Sequence, residues 1–162
     1  MKLGLPDAAF IRGKVPMTKQ EIRILTLVKA QIGPRDIVCD IGAGTGSLSI
    51  EAARLAPEGH VYAIERKKEA VCLIEANRER FGLENLSVIE AEAPAGLEGL
   101  PPVDVAMIGG SGGHLMEILD RLTQKLREDG RLVINCITVQ TLAEALDYLH
   151  VHETVYRYEA VQ

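Results

Sequence analysis

Three groups of residues in this chain have types and spacings that could do chemistry. The first is Asp40-Ile41-Gly42-Ala43-Gly44-Thr45-Gly46, an acid followed by three glycines at alternate positions. The apolar run Ile37-Val38-Cys39 leads into it and a helical pattern follows. A strand that ends in a glycine turn and opens a helix leaves unpaired N–H groups beside a surface free of side chains, which suits a ligand lying against main chain. The plain alternative is a tight strand-to-helix turn with no ligand. The second is Glu65, about twenty residues beyond the loop, where a carboxylate can accept hydrogen bonds from both hydroxyls of a ribose. It could equally be a solvated acid beside Arg66, Lys67 and Lys68, and the loop favours the ribose. The third is Gly109-Gly110-Ser111-Gly112-Gly113-His114, a bare backbone floor whose only polar side chains are Ser111 and His114. Substrate contact by this floor competes with a flexible turn, and His114 on its own is more often a helix-start residue than a catalyst.

The D-x-G-x-G-x-G form resembles the nucleotide loop of S-adenosylmethionine (SAM)-dependent methyltransferases. Ser47 stands where a dinucleotide fingerprint needs its third glycine, which disfavours a dehydrogenase. Asp40 could orient the loop or meet the ligand's amino group through water. Glu92 and Ala93 are placed to bracket an adenine edge by a carboxylate and a backbone amide. Asn135 either points into the same cleft or is a satisfied buried amide. The sequence has no Asn/Asp-Pro-Pro-Tyr/Phe motif after the fourth strand and no Pro-Cys nucleophile. An electron-rich acceptor needs neither, because alignment and desolvation carry most of the rate when the methyl donor is already electrophilic.

The elements that must position these groups alternate. Thr18 and Glu21 are spaced as a capping box, and Ile22, Leu25, Val28 and Ile32 form a helical stripe ended by Gly33-Pro34. Strand one and the glycine loop follow, then a helix carrying Leu48, Ile50, Ala52, Ala53 and Leu55. Strands are expected at His60–Glu65, Leu86–Ile89, Val103–Ile108, Arg131–Cys136 and Val155–Val161. Helices are expected from Lys67 to Phe81, through Leu115, Ile118, Leu119, Leu122 and Leu126 to a stop at Gly130, and from Thr138 to about His150. This order predicts an α/β fold, a doubly wound, mostly parallel, Rossmann-like sheet with both faces covered. Residues 1–17 read as an N-terminal segment and 18–162 as the core of one domain.

At 162 residues, with 47% hydrophobic and 25% charged residues, the chain is an ordinary globular domain. It lacks an apolar run of membrane-spanning length, and no signal core follows Met1-Lys2-Leu3-Gly4. Cys39, Cys72 and Cys136 are far apart in apolar contexts and read as buried thiols in the cytoplasm, with no metal site. A net charge of −5 weighs against general nucleic-acid binding. RNA methylation (of tRNA adenine) and a non-catalytic binding subunit are the alternatives to a small-molecule methyltransferase.

Longer segments are more specific. Gly4-Leu5-Pro6-Asp7, Phe10-Ile11-Arg12, Pro16-Met17-Thr18-Lys19-Gln20-Glu21-Ile22-Arg23, the glycine loop, Ile64-Glu65-Arg66 and Ile108-Gly109-Gly110-Ser111-Gly112-Gly113 resemble the decarboxylating cobalt-precorrin C15-methyltransferase family of cobalamin synthesis. The resemblance runs from the N-terminus through strand five. It implies methyl transfer from SAM to the meso carbon between rings C and D of a cobalt-precorrin, with loss of carbon dioxide from the ring C acetate. It also implies SAM contacts at Thr18, Gly42 to Gly46, Glu65 and Ala93, a homotetramer, and a partner precorrin methyltransferase. The family's sheet closes with an antiparallel strand beyond the equivalent of Tyr156–Val161, which is not expected within a sequence reaching Gln162. A substrate with many carboxylates needs a locally basic cleft mouth, for which Arg12, Lys14, Lys19 and Arg23 are candidates. Arg12, Lys14 and the Gly109–Gly113 floor are thus the expected substrate contacts. Ser111, His114 and Asn135 are the candidates for a direct role in the chemistry.

Overall fold

The computed structural model describes residues 3–162; Met1 and Lys2, the start of the N-terminal segment and of the leader reading, lie outside them. A five-stranded, wholly parallel sheet runs in the order β3-β2-β1-β4-β5, with β1 at Ile37–Ile41, β2 at His60–Glu65, β3 at Leu86–Glu90, β4 at Val103–Ile108 and β5 at Leu126–Ile134. The helices are α1 (Gln20–Ala30), α2 (Ser47–Leu55), α3 (Lys68–Phe81), α4 (Leu115–Lys125) and α5 (Val139–Val151), with 3-10 turns at Asp7–Ala9 and Ala95–Leu97. The strand order reverses between β1 and β4, and one apolar core lies on each face of the sheet. Val38, Cys39 and Ile41 of β1 are all buried, as a central strand covered on both sides requires.

Several expectations are corrected. The Thr18–Glu21 capping box does not form; α1 begins one residue later, with Lys19 at its N-cap and no side-chain cap. The apolar stripe of α1 faces outward instead of inward, leaving Ile22 47%, Leu25 41% and Val28 53% exposed. Its buried face is Arg23, Thr26, Leu27 and Ala30. The reason is Arg23, which is wholly buried. Its Nε donates to Glu51 of α2 at 3.0 Å, Nη1 to Asp7 at 2.8 Å and to the Thr18 carbonyl at 2.6 Å, and Nη2 to the Leu5 carbonyl at 2.5 Å. Phe10 places its ring 4.7 Å from the guanidinium. Glu51, 2% exposed, in turn accepts the N–H groups of Gly4 and Leu5. Buried charges demand these particular partners, and breaking the pair would leave one of them uncompensated, so the cluster sets the rotation of the helix. It also removes Arg23 from the basic cleft mouth where the sequence placed it.

The other corrections follow from pairing and packing. α4 ends at Lys125 instead of continuing to Gly130, and β5 begins at once: Val103 pairs with Leu126, then Val105 with Arg131, so residues 127–130 are looped out of the ladder. From Arg131 to Ile134 the strand is as expected, and Cys136 lies beyond it. Val155–Val161 forms no strand. Tyr156 hydrogen-bonds Thr123 of α4 through its hydroxyl and Glu159 pairs with Lys29 of α1, so the segment is held by side chains and has no ladder partner. Among the thiols only Cys39 is buried; Cys72 is exposed and Cys136 half-buried.

Removing Arg23 leaves Glu51 buried without a counter-charge and releases residues 4–18. Arg23→Ala is expected to cost about 3–5 kcal/mol and to expose the N-terminal segment to limited proteolysis. The double variant Arg23→Met/Glu51→Leu, which buries no charge, should recover much of that loss in chemical denaturation.

Candidate functional site

The site lies at the carboxyl ends of β1, β2 and β4, over the point where the strand order reverses, where open parallel sheets bind ligands. The loop after β1 is anchored by its own amides. Gly42 and Ala43 both donate to the Ile64 carbonyl at the end of β2, and Gly46 donates to the Ala43 carbonyl. Gly42 has φ +68°, and a Cβ there would stand 2.5 Å from the Gly110 carbonyl oxygen. Two glycine loops therefore meet backbone to backbone, because Gly109 and Gly110 also donate to the Ile41 carbonyl.

Glu65 closes the other side. One carboxylate oxygen accepts the Gly44 N–H at 3.0 Å and the other the Lys67 N–H at 2.9 Å. Each oxygen keeps a lone pair for a hydroxyl, and the side chain is fixed before a ligand arrives. Beneath the loop Asp40 accepts a 2.5 Å hydrogen bond from Ser49 on one oxygen, while its Oδ1 and the buried hydroxyl of Thr45 have no partner. Two orphaned polar atoms in a glycine cradle mark a place for a polar ligand. Burial pushes the Asp40 carboxyl up to about 6; the Ser49 hydroxyl opposes the shift and Glu65 adds to it.

The remaining candidates divide. Ala93 is buried beyond β3, while Glu92 is half-exposed and paired with Arg66 at 2.6 Å. A Cβ on Gly112 would lie 3.6 Å from both Arg66 and Glu92, so that ion pair bridges the adenine-side expectation to the Gly109–Gly113 floor. Ser111 is half-buried on that floor beside exposed Gly110, Gly112 and Gly113. His114 points to solvent, with its Nδ1 2.7 Å from Glu117, and serves as the α4 N-cap position. Asn135 lies just past β5; its Oδ1 is 3.1 Å from the Thr26 hydroxyl and its Nδ2 is buried without a partner. Thr18 is held by Arg23 through its carbonyl. Arg12, Lys14 and Lys19 are exposed on the N-terminal segment, which returns over the loop so that a Cβ on Gly44 would lie 3.5 Å from the Pro16 carbonyl oxygen.

Sequence reasoning missed two residues that build this arrangement, Glu51 and Asn77. Each is a polar residue on the buried face of a helix, at helical spacing among apolar neighbours such as Ala70, Ile74 and Phe81 for Asn77. That placement was the available signal.

Fold and site together define a SAM-dependent methyltransferase of the Rossmann-like class. The cofactor fits what is present: the glycine cradle, the preset Glu65 carboxylate at its edge, and unpartnered Asp40 and Thr45 atoms beneath it. The chain belongs to the precorrin methyltransferase family, whose domain model matches residues 6–159. It is 45% identical over 150 residues to the probable cobalt-precorrin-6B C(15)-methyltransferase (decarboxylating) of Sulfurisphaera tokodaii, covering 91% of this chain and 78% of that protein. To the cobalt-precorrin-6B C(15)-methyltransferase (decarboxylating) of Salmonella typhi it is 42% identical, over 98% of this chain and 81% of the other. The crystal structure of precorrin-6y C5,15-methyltransferase from Geobacter metallireducens superposes with a TM-score of 0.89 at 41% identity, covering 93% of this chain and 79% of that one.

The raised Asp40 carboxyl has a measurable consequence. Its folded-state pKa of about 6 lies above the ordinary 3.8, so its contribution to stability is full below about pH 4 and is lost as pH rises through about 6. Asp40→Asn should therefore remove that pH dependence and, at pH above about 7, melt higher than the wild-type chain, as calorimetry across the pH range would show. The wild-type chain should also bind the cationic cofactor more tightly as Asp40 ionises, a rise in affinity through about pH 6 that Asp40→Asn should abolish in titration calorimetry.

Proposed function

We propose that this protein transfers a methyl group from SAM to the meso carbon between rings C and D of a cobalt-precorrin and couples the transfer to decarboxylation of the ring C acetate. The observation that carries the reading is the placement of an exposed basic segment, with Arg12 and Lys14, over a SAM-type loop that abuts a second, bare glycine floor. Relatives more than 40% identical over most of the chain bear the name of that reaction. SAM, when bound, supplies an electrophilic methyl on a sulfonium; the acceptor carbon contributes the electron pair and S-adenosylhomocysteine remains.

In this reading the protein's own work is alignment. Gly42 to Gly46, Asp40, Glu65, Ala93, Glu92 and Thr18 hold the donor. The Gly109–Gly113 floor, which has no side chain but Ser111 to intrude, lets a flat macrocycle approach. Arg12 and Lys14 take its peripheral carboxylates at the rim, where arginine's fork suits a carboxylate. Loss of the acetate carboxylate as carbon dioxide leaves its electron pair in the conjugated ring, and the methylene carbon left behind takes up a proton from solvent to become a methyl, so none of Ser111, His114 and Asn135 need act as the acid. His114, exposed and paired with Glu117, is the weakest of the three for a direct role.

Residues 1–17 act on this reading as the substrate-side segment and 18–162 as the core. A cytoplasmic homotetramer that meets a partner precorrin methyltransferase is consistent with the exposed apolar face of α1, Ile22, Leu25 and Val28; light scattering of the purified chain tests the assembly.

Two variants separate the ligands. Arg12→Ala should weaken cobalt-precorrin binding roughly ten- to a hundredfold, the loss of one charge-assisted contact, and leave SAM affinity nearly unchanged. Glu65→Ala should do the reverse. Absorbance titration with a cobalt-precorrin and mass spectrometry for methyl gain with carbon dioxide loss read both. Turnover of bulk tRNA with no spectral change on adding the tetrapyrrole would overturn the assignment.

A further inference from the structure

The N-terminal segment is laid along one ridge of α3 formed by Glu69, Leu73, Asn77 and Phe81, residues four apart and so stacked on one helical face. Phe10 meets Phe81 with ring centroids 5.5 Å apart. A Cβ on Gly13 would lie 3.2 Å from Leu73 and 3.7 Å from Glu69. Between these contacts Asn77, 0% exposed, is the polar clamp. Its Oδ1 accepts the Ile11 N–H at 2.7 Å, and its Nδ2 donates to the Ile11 carbonyl at 3.1 Å and to the Thr45 carbonyl of the glycine loop at 3.3 Å.

Every polar group of this amide is used, and the pattern admits no other orientation: two carbonyls must face the NH2 and one N–H must face the oxygen. One buried side chain thus holds the backbone next to Arg12 and the backbone of the cofactor loop at once. Aspartate has the same shape but cannot donate to two carbonyls, and alanine reaches neither. Thr45 is also the residue whose buried hydroxyl has no partner under the loop, so a ligand that engages it acts on the residue Asn77 grips.

We propose that Asn77 is a positioning residue that couples occupancy of the glycine loop to the order of the basic arm at residues 10–14, so that SAM and the carboxylate-bearing substrate bind cooperatively. For the identity of the second ligand this rests on the tetrapyrrole reading above; the link from loop to arm does not. Fixing Thr45 through the cofactor fixes the Asn77 amide, which fixes Ile11 and presents Arg12 and Lys14 already ordered. The coupling is reciprocal, so the substrate must tighten SAM by the same factor.

The test begins without substrate. Hydrogen–deuterium exchange on the full chain, with and without SAM, should show added protection of residues 10–14 in the wild type and none in Asn77→Ala at saturating SAM. Ile11→Pro is the second variant: it removes the N–H that Asn77 receives and leaves the amide in place, and Phe10, at ψ 146°, already has the extended backbone that precedes proline. Thermal melting confirms that the variant used is folded. Titration with a cobalt-precorrin should then show S-adenosylhomocysteine, which fills the loop with no methyl to transfer, tightening it by at least about fivefold in the wild type, falling toward one in the variants, with KM for the tetrapyrrole in SAM turnover rising more than kcat falls. Absence of SAM-dependent protection in the wild type, or protection and cooperativity unchanged in folded variants, overturns the proposal. Protection of the arm by SAM together with no binding of the tetrapyrrole keeps the coupling and removes the substrate reading instead.

Discussion

The buried pair of Arg23 and Glu51 is the interaction on which the rest of this structure depends. Two charges are brought fully out of water and compensated by each other, by Asp7, and by main-chain groups of Gly4, Leu5 and Thr18. Such a cluster adds little or no net stability over an apolar equivalent, but it permits very few arrangements of the elements that contribute to it. Here it joins α1, α2 and a segment that has no regular secondary structure beyond one short turn. Because α2 starts in the glycine loop, the pair also ties the position of the arm to the position of that loop.

That constraint explains how an irregular stretch can hold a defined course over the glycine loop. Extended chain at a surface has little to hold it, since its backbone groups can turn to water at small cost. In this protein the stretch is fixed at both ends by Arg23 and in the middle by Asn77, leaving Arg12 and Lys14 as the exposed charges between fixed points. The sheet fixes the other half of the site: parallel strands end together, and the reversal between β1 and β4 opens the crevice into which both glycine loops project.

Much of this was legible in the sequence. Period and turn chemistry found β1 to β4, the loop and the helices, because those signals are local. The resemblance of dispersed segments located the family, which composition could not. Errors came where tertiary contacts decide. The stripe Ile22, Leu25, Val28 outscored the face carrying Arg23, since no local rule credits an arginine with a buried position it earns from a residue 28 positions away. Val155–Val161 has strand composition but no neighbour to pair with, and Cys72 sits among apolar residues on the outward side of α3. Ser111, His114 and Asn135 were grouped by position after strands; their side chains are spread among the floor, solvent and α1.

The contact of Gly42 with Gly110 has a consequence for how this site can change over successive mutations. Wherever two side chains crowd each other, a larger residue on one side can be accommodated by a smaller one on the other. Here the obstructing atoms are the nitrogen, Cα and carbonyl oxygen of Gly110, all of them main chain. No second-site replacement can make that residue smaller, so a side chain at Gly42 has no compensating partner. Sequence change around this crevice must therefore enter elsewhere, while the meeting point of the two loops stays closed to exploration.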